Sequence, residues 1–254
     1  MPTWDDAQYL KFADARTRPA AELLARVPAQ APERVVDLGC GPGNSTELLV
    51  ARWPNAHVIG VDNSEAMLSR ARETLPKQRF VLSDLRTFRA EQPASVLFAN
   101  ASLHWVPDHA QVLPALLDSL APGGGTLAFQ MPDNYQEPSH RLMRELILEY
   151  VPDLSAVHTH PPIETVQFYY DLLAPRAKHI DIWQTRYEQV VPDAAAIVEW
   201  FKGTGLRPYL EAIEPEQRSA FVRAYERALD RAYPARVDGR RLFSFPRLFV
   251  VCTR

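Results

Sequence analysis

Two patterns of apolar residues alternate along the first half of the chain. Short apolar runs, typical of strands buried on both faces, are separated by stretches with apolar residues at helical spacing. The predicted strands are Val35–Leu38, His57–Val61, Phe80–Leu82, Val96–Ala99 and Thr126–Gln130. The predicted helices between them are Ser45–Trp53, Ser64–Leu75 and Ala110–Leu120. This alternation predicts an α/β fold in which a parallel sheet carries helices on both faces.

The second half of the chain is richer in helices. Predicted helices lie at Ser139–Tyr150, Ile163–Leu173, Asp193–Lys202 and Pro215–Tyr233, and predicted strands at His179–Val190 and Leu242–Cys252. A further helix is expected at Thr17–Val27, with Pro19 near its first turn. Pro246 inside the last strand predicts an edge position or a bulge. We expect one domain over residues 1–254, with helical cap insertions at 134–177 and 191–236.

Composition narrows the class of protein. The 254 residues are 46% apolar and 23% charged, as in an ordinary globular domain. An 18-residue apolar run and a secretory signal are both missing, so a membrane protein is not expected. Cys40 and Cys252 are too few and too separated for a disulfide framework or a zinc site. We therefore expect a cytoplasmic protein without a metal site.

Charge is distributed unevenly along the chain. The net charge of −3 argues against a nucleic-acid partner. Residues 1–175 hold 14 Lys and Arg against 21 Asp and Glu, a net −7, whereas residues 176–254 hold 14 against 10, a net +4. The basic segment can receive a small anionic substrate, or its arginines can simply be solvated on helix surfaces.

The segment after the first predicted strand carries the most information. The strand carries Asp37 near its end and breaks into glycines at 39, 41 and 43, a turn that allows a ligand to lie directly on the main chain. A dinucleotide fingerprint needs a third glycine at position 44, which is Asn44 here. Pro42 removes an N–H that would bind a pyrophosphate. The turn therefore favours S-adenosylmethionine over a dinucleotide.

Acidic residues end the next two strands. Asp62 can accept hydrogen bonds from both ribose hydroxyls, which suits NAD as well as S-adenosylmethionine. Asp84 can accept the adenine amine while the N–H of Leu85 donates to the ring, but Asp84 can equally cap a helix. Met67 is placed either on the adenine face or in the core. Within the glycine turn, Asp37 is expected to act indirectly and Cys40 to be a small packing residue.

The end of the fourth predicted strand faces the expected reaction centre, because ligands bind outside the carboxyl ends of parallel strands. Asn100 can bond the amino-acid part of the cofactor. His104 and Trp105 can line the position of the methyl group, although His104 can instead cap a helix. The Asn/Asp-Pro-Pro-aromatic clamp that holds a flipped nucleic-acid base is missing from this segment.

The glycine turn, Asp62, Asp84 and Leu120–Gly125 together resemble the class I S-adenosylmethionine-dependent methyltransferases. This resemblance implies a doubly wound, Rossmann-like sheet of seven strands, mostly parallel, with an antiparallel last strand. It also implies that Tyr9 and Arg18 fold over the cofactor and that S-adenosylhomocysteine is a product. The implied cofactor-binding residues are Tyr9, Arg18, Asp37, Gly39, Cys40, Gly41, Asn44, Asp62, Asn63, Met67, Ser83, Asp84, Leu85, Asn100, Ala101 and His104.

Further segments resemble those members of the family that methylate trans-aconitate. They are Trp4–Phe12, Asn100–Trp105, Gln130–Asn134, Phe168–Leu173, Trp200–Tyr209 and Phe245–Phe249. One departure from the family pattern is the third glycine of Gly123–Gly125. The resemblance implies methylation of a carboxylate of trans-aconitate to a monomethyl ester. Methylation of another small acid or of an amine is the alternative.

A tricarboxylate substrate requires several fixed hydrogen-bond donors. Arg207 and Arg247 each adjoin a proline and have aromatic neighbours, so they are the predicted bidentate grips. The other predicted substrate-binding residues are Trp105, Tyr169, Tyr170, Trp200 and Tyr209. The alternatives are internal salt bridges for the arginines and a packed cap core for the aromatics. A cofactor-binding regulator without turnover and an NAD oxidoreductase are less favoured classes.

Overall fold

The computed structural model of the chain describes residues 13–151, 153, 157, 161–203 and 205–254, with side chains from residue 17 onward. Seven strands are present among these residues: β1 (Arg34–Leu38), β2 (His57–Asp62), β3 (Arg79–Leu82), β4 (Val96–Asn100), β5 (Thr126–Pro132), β6 (His179–Val191) and β7 (Arg241–Thr253). The helices are α1 (Ala13–Arg26), α2 (Asn44–Arg52), α3 (Glu65–Thr74), α4 (His109–Asp118), α5 (Pro138–Leu146), α6 (Val166–Leu173), α7 (Ala194–Lys202), α8 (Arg207–Ala212) and α9 (Pro215–Ala232). The predictions for Tyr9 and for Trp4–Phe12 lie outside the described residues.

All seven strands form one sheet in the order β3-β2-β1-β4-β5-β7-β6. Strands β1 to β5 pair in parallel, so that Val36 lies beside Ile59 on one side and Leu97 on the other. Strand β7 runs antiparallel to β5. This arrangement confirms the predicted doubly wound sheet and its antiparallel last strand.

Burial on both faces explains why the central strands are continuously apolar. Every residue of β5 is buried, as are the first four of β4. Helix α4 covers one face with Val112, Leu113, Leu116 and Leu117. Each fully buried leucine contributes about 2 kcal/mol of apolar burial. This core therefore fixes the positions of the strand ends, beside which ligands are expected to bind.

Helix starts agree with the local sequence. The Ser64 hydroxyl accepts a hydrogen bond from the N–H of Met67 and caps α3. Asp193 caps α7 by accepting from the N–H of Ala196 at 2.8 Å. Pro215 occupies the first turn of α9. All three helices therefore begin within one residue of their predicted starts.

Two local predictions are wrong, and one helix was not predicted. Helix α1 already includes Ala13, so Pro19 lies in its interior and not in its first turn. Pro246 does not mark an edge strand, because β7 lies between β5 and β6; it immediately precedes Arg247, which pairs with Pro132 at the end of the β5 register. The alternative, a bulge, stays a prediction. Helix α8, which begins at Arg207, had no predicted counterpart.

The chain divides into two compact units. The sheet unit comprises Arg16–Pro132, Ile163–Thr185 and Arg247–Arg254, and the helical unit contains Asp133–Pro162 and Arg186–Pro246. Residues 163–177, which were predicted to belong to the first cap, lie in the sheet unit. That the helical segments cap an active site stays a prediction. Across the described residues, none of the helices is long and apolar enough to cross a membrane.

Candidate functional site

The turn between β1 and α2 is built from glycines in left-handed backbone conformations. Gly39, Gly41 and Gly43 have φ values of 71°, 54° and 99°. The N–H groups of Gly39 and Cys40 both donate to the carbonyl of Val61, at 2.7 and 2.9 Å. A Cβ added at Gly41 would meet no atom within 4 Å. The turn is thus fixed to β2 and leaves open space beside its main chain.

Residues after β4 hold this turn from the other side. The Ser102 hydroxyl donates to the carbonyl of Leu38 at 2.6 Å. A Cβ added at Gly39 would lie 2.3 Å from the Cβ of Ser102. Ala101, with φ of 52°, is held by its N–H donating to the carbonyl of Gln130 at 3.0 Å. A left-handed alanine at the carboxyl edge of the sheet is typical of a functional site.

Asp37 supports the turn from within the protein. Its carboxylate is fully buried and accepts hydrogen bonds at Oδ2 from the hydroxyls of Ser45 (2.8 Å) and Thr46 (2.6 Å). These contacts join the end of β1 to the first turn of α2. Burial raises the pKa of Asp37 from 3.8 to about 6, against the lowering effect of both hydroxyls. The residue therefore has a supporting position, as its predicted indirect role requires.

This raised pKa predicts a pH dependence of stability. Because the unfolded carboxyl loses its proton near pH 3.8 and the folded one near pH 6, the folded state binds more protons between these values. Stability from Asp37 is therefore present at low pH and is lost as pH rises through that window. At each pH, the free energy of unfolding of Asp37→Asn is subtracted from that of the wild type. We expect this difference to fall by about 2–3 kcal/mol from pH 4 to pH 7.

Urea unfolding of both proteins across this range measures the difference directly. The exposed Asp118 offers a matched Asp118→Asn control for the loss of one carboxylate. A wild-type-minus-variant difference that is constant or increases with pH would contradict the assignment to Asp37.

Asp62 points its carboxylate at the glycine turn. Its Oδ2 accepts from the N–H of Gly41 and its Oδ1 from the N–H of Ser64, each at 2.9 Å. Each carboxylate oxygen keeps a further lone-pair site, and the residue is only half-buried. A fixed carboxylate with one acceptor site left on each oxygen suits a vicinal diol such as that of a ribose.

The predicted adenine-binding residues follow β3. Ser83 donates its N–H to the carbonyl of Asp62 at 2.9 Å, which joins the ends of β2 and β3. Asp84 accepts at Oδ1 from the main-chain N–H of Arg86 at 2.9 Å and also pairs with the Arg86 guanidinium. Hydrogen bonds from that guanidinium lower the pKa of Asp84. Asp84 is thus ionised and half-exposed, whereas Leu85 is buried.

The remaining predicted cofactor residues differ in exposure. Asn63 is exposed, whereas Met67 and Asn44, the first residue of α2, are half-buried. Burial raises the pKa of the Cys40 thiol well above its usual range, so the thiol is not a nucleophile at neutral pH. Arg18 is exposed on α1, where it pairs with Glu22 at 2.7 Å. Its predicted contact with the cofactor stays a prediction.

A short 3-10 turn, Leu103–Trp105, follows β4. His104 is buried, and its ring centroid lies 4.8 Å from that of Trp105, whose side chain is 54% exposed. His109, which sequence reasoning missed, fixes this turn because its Nε2 contacts the carbonyl of Leu103 at 2.9 Å. The turn therefore presents a buried imidazole and an exposed indole at the carboxyl edge of the sheet.

Gln130 is a second residue that sequence reasoning missed. Its buried side chain bonds to Asn100 on β4 and accepts from Arg247 on β7 at 2.9 Å. A glutamine in a strand that is otherwise buried and mostly apolar was the available signal. The sheet thus brings the predicted cofactor residue Asn100 and the predicted substrate residue Arg247 onto one side chain.

Two predicted substrate residues lie on helix α6 of the sheet unit. Tyr169 is fully buried: its hydroxyl contacts Nδ1 of His109 at 2.8 Å, and its ring packs edge-on against Phe129. This burial fits the packed-core alternative, and contact of Tyr169 with the substrate stays a prediction. Tyr170 is 54% exposed and lines a shallow groove with Ile180 and Ile182.

The other candidates lie in the helical unit. Trp200 packs against Phe243 and Phe245, and Tyr209 is also buried, which fits the packed-core alternative for both. Arg207 donates from Nε to Glu211 at 2.8 Å. Its Nη2 is buried without a hydrogen-bond partner among the described residues. Arg207 therefore retains donor capacity for an anion.

The fold is that of the class I S-adenosylmethionine-dependent methyltransferases. A methyltransferase-domain family model matches residues 35–124. The chain is 58% identical to the trans-aconitate 2-methyltransferase of Azoarcus sp. (strain BH72), over all of both chains. It is 51% identical to that of Variovorax paradoxus (strain S110), over 100% of this chain and 99% of that one. The chain belongs to the trans-aconitate 2-methyltransferase family.

A solved structure shows the same fold. It is an S-adenosylmethionine-dependent methyltransferase from Mesorhizobium loti, with a TM-score of 0.54 and 22% identity, and the match covers 95% of this chain and 100% of that one. At this level of identity the likeness concerns the fold alone.

Proposed function

We propose that this protein transfers a methyl group from S-adenosylmethionine to a carboxylate of trans-aconitate, giving a monomethyl ester and S-adenosylhomocysteine. The observation that carries the proposal is the Asp62 carboxylate, fixed by two N–H groups beside an open glycine turn. Relatives named for this activity at 51–58% identity over the full chain support the substrate. We also propose a cytoplasmic location, which the two free cysteines support.

The residues present fit the proposed cofactor. The space beside Gly41 admits a ligand against the main chain, and Asp62 offers acceptors to two neighbouring hydroxyls. Asp84 offers an ionised acceptor for an exocyclic amine. S-adenosylmethionine supplies a sulfonium-bound methyl group as the electrophile.

The chemistry demands positioning more than proton transfer. A substrate carboxyl with a pKa near 4 is already ionised at neutral pH and is itself the nucleophile, so a general base is not required. The protein has to align the nucleophile and exclude water, because opposite charges cancel during transfer. We propose that His104 and Trp105 form one wall of this space, since they follow the end of β4 as a fixed turn.

Arg207 is the proposed grip for a substrate carboxylate in the helical unit. If its buried Nη2 donates to the substrate, Arg207→Ala should raise the KM for trans-aconitate about 10–100-fold, the value of a hydrogen bond between charged groups. The dissociation constant for S-adenosylhomocysteine should change less than about twofold. Arg223→Ala on α9 is a matched control, because it removes an exposed guanidinium from the same unit. An unchanged KM would remove Arg207 from the binding site.

The reaction itself is tested with methyl-labelled S-adenosylmethionine and a panel of small acids and amines. The expected product from trans-aconitate is an ester whose label is released by mild base. A label that resists base would indicate an N-methyl product and an amine substrate. Absence of turnover with every acid, from protein that binds S-adenosylhomocysteine, would contradict the proposed function.

A further inference from the structure

Three polar side chains from separate strands of the sheet unit are linked by hydrogen bonds into a chain, here called the relay. Arg247 on β7 is 6% exposed, and its Nη1 donates to Oε1 of Gln130 at 2.9 Å. Gln130 on β5 is fully buried, and its Nε2 donates to Oδ1 of Asn100 at the end of β4. The half-buried Asn100 is the most exposed member of the relay.

The chemistry of the three groups fixes the direction of every hydrogen bond in this relay. A guanidinium has only donors, so the Gln130 amide has to present its oxygen to Arg247. The Gln130 NH₂ group then faces Asn100, so the side-chain oxygen of Asn100 has to accept the hydrogen bond. The Asn100 NH₂ group consequently faces away from Gln130. A reversed amide at either position would set two donors or two acceptors against each other, at a buried site where such a mismatch is costly.

Asn100 lies beside the predicted ligand site. Two residues further along, Ser102 contacts Leu38 and approaches the glycine turn at Gly39. Across the described residues, the structure shows no hydrogen bond from the Asn100 NH₂ group to another side chain or to the main chain. The group is therefore available to a ligand as a donor and not as an acceptor.

We propose that Gln130 is a positioning residue. Held by Arg247, it fixes the Asn100 amide as a hydrogen-bond donor. Because of this donor, the site at the end of β4 prefers a ligand that carries a carboxylate. This inference rests on the proposed function and specifies the chemistry of the same site. Two carboxylates can fill the role: that of the amino-acid part of the cofactor and that of the acid substrate. In either case the buried positive charge at Arg247 acts on the anion through two amide groups, without touching it.

Gln130→Glu tests the direction of the relay. A glutamate accepts from Arg247 but cannot donate to Asn100, so the Asn100 amide has to reverse and present its oxygen to the ligand. We expect the affinity for the selected carboxylate to fall at least about 10-fold, the value of one charge-assisted hydrogen bond. Gln130→Met keeps the side-chain volume but fixes neither orientation of the Asn100 amide, so it should lose less affinity for the carboxylate. Gln111→Glu, the same change on the exposed face of α4, is the matched control.

Calorimetric titration distinguishes the two carboxylates. One ligand is S-adenosylhomocysteine, and the other is its decarboxylated analogue, which keeps the amine and lacks only the carboxylate. If the cofactor carboxylate is selected, Gln130→Glu weakens the first ligand and leaves the second unchanged. If the acid substrate is selected, both ligands bind as in the wild type and the KM for trans-aconitate rises with little change in kcat.

Asn100→Asp provides a second variant in case Gln130→Glu fails to fold. Aspartate accepts from Gln130 and presents an oxygen to the ligand, so it should show the same selective loss. Equal weakening of both titrated ligands in folded variants, or unchanged affinities together with an unchanged KM, would overturn the proposal. Failure of the wild type to bind S-adenosylhomocysteine would instead refute the proposed function, and so the two failures are distinguishable.

Discussion

Alanine at position 62 is expected to raise the dissociation constant for S-adenosylhomocysteine about 100–1,000-fold. In the wild type, both carboxylate oxygens of Asp62 are fixed by main-chain N–H groups and keep lone pairs for two ribose hydroxyls. A hydrogen bond to a charged group contributes about 1.5–3 kcal/mol, so losing two of them corresponds to at least this change. Isothermal titration calorimetry with S-adenosylhomocysteine measures the effect.

Asp62→Asn should restore little of this affinity. The amide would set its NH₂ group against the N–H of either Gly41 or Ser64, where two donors face each other. The control is Glu65→Ala, which removes an exposed carboxylate three residues away that pairs with Arg72. Wild-type affinity in both Asp62 variants, from folded protein, would exclude Asp62 from the cofactor site.

Local sequence signals were sufficient for the part of the site that local backbone geometry creates. A left-handed turn requires glycine, so the positions of Gly39, Gly41 and Gly43 predicted the turn that the structure contains. Asp62 could be placed because parallel strands end on one edge of a sheet. In the same way, Ser64 predicted the start of α3 because its cap needs only neighbours in the chain.

Residues whose partners are distant in sequence could not be assigned in this way. Tyr169 and Tyr170 are adjacent in the chain, yet one is fully buried and the other 54% exposed. Helical spacing indicates that one face is inside, but it does not supply the buried partner that a tyrosine hydroxyl needs. That partner is His109, 60 residues earlier in the chain. The packing of the fold, and not a local pattern, therefore places Tyr169 in the core.

Gln130 was missed for the same reason. Its two partners, Asn100 and Arg247, are 30 and 117 residues away, and only the strand order β4-β5-β7 makes them neighbours. Arg247 was predicted as a direct grip from its aromatic surroundings. In the structure Arg247 is 6% exposed and its Nη1 donates to the Gln130 side chain, so direct contact with the substrate stays a prediction. The residue type of Arg247 indicated an anion-binding role, whereas its contact with Gln130 could be known only from the strand order of the sheet.

Gly39→Ala is expected to destabilise the protein by about 2–5 kcal/mol, or to prevent folding. The new Cβ would lie 2.3 Å from the Cβ and 2.9 Å from the Oγ of Ser102, closer than van der Waals contact permits. Overpacking typically costs about 1–3 kcal/mol, and a left-handed conformation adds about 1–2 kcal/mol for a residue with a Cβ. Urea unfolding measures the loss, and the cofactor affinity should fall with it because the turn has to move.

Gly123→Ala separates the two contributions. Gly123 has φ of 82°, close to the 71° of Gly39, but a Cβ there would meet no atom within 4 Å. Its variant should lose only the conformational part, about 1–2 kcal/mol. Adding Ser102→Gly to Gly39→Ala removes the atom that clashes and should recover part of the stability, a coupling that independent sites do not show. If Gly39→Ala were no more destabilising than Gly123→Ala, the contact between the turn and the end of β4 would not contribute to stability. The two elements could then not be held together in the way that the cofactor site requires.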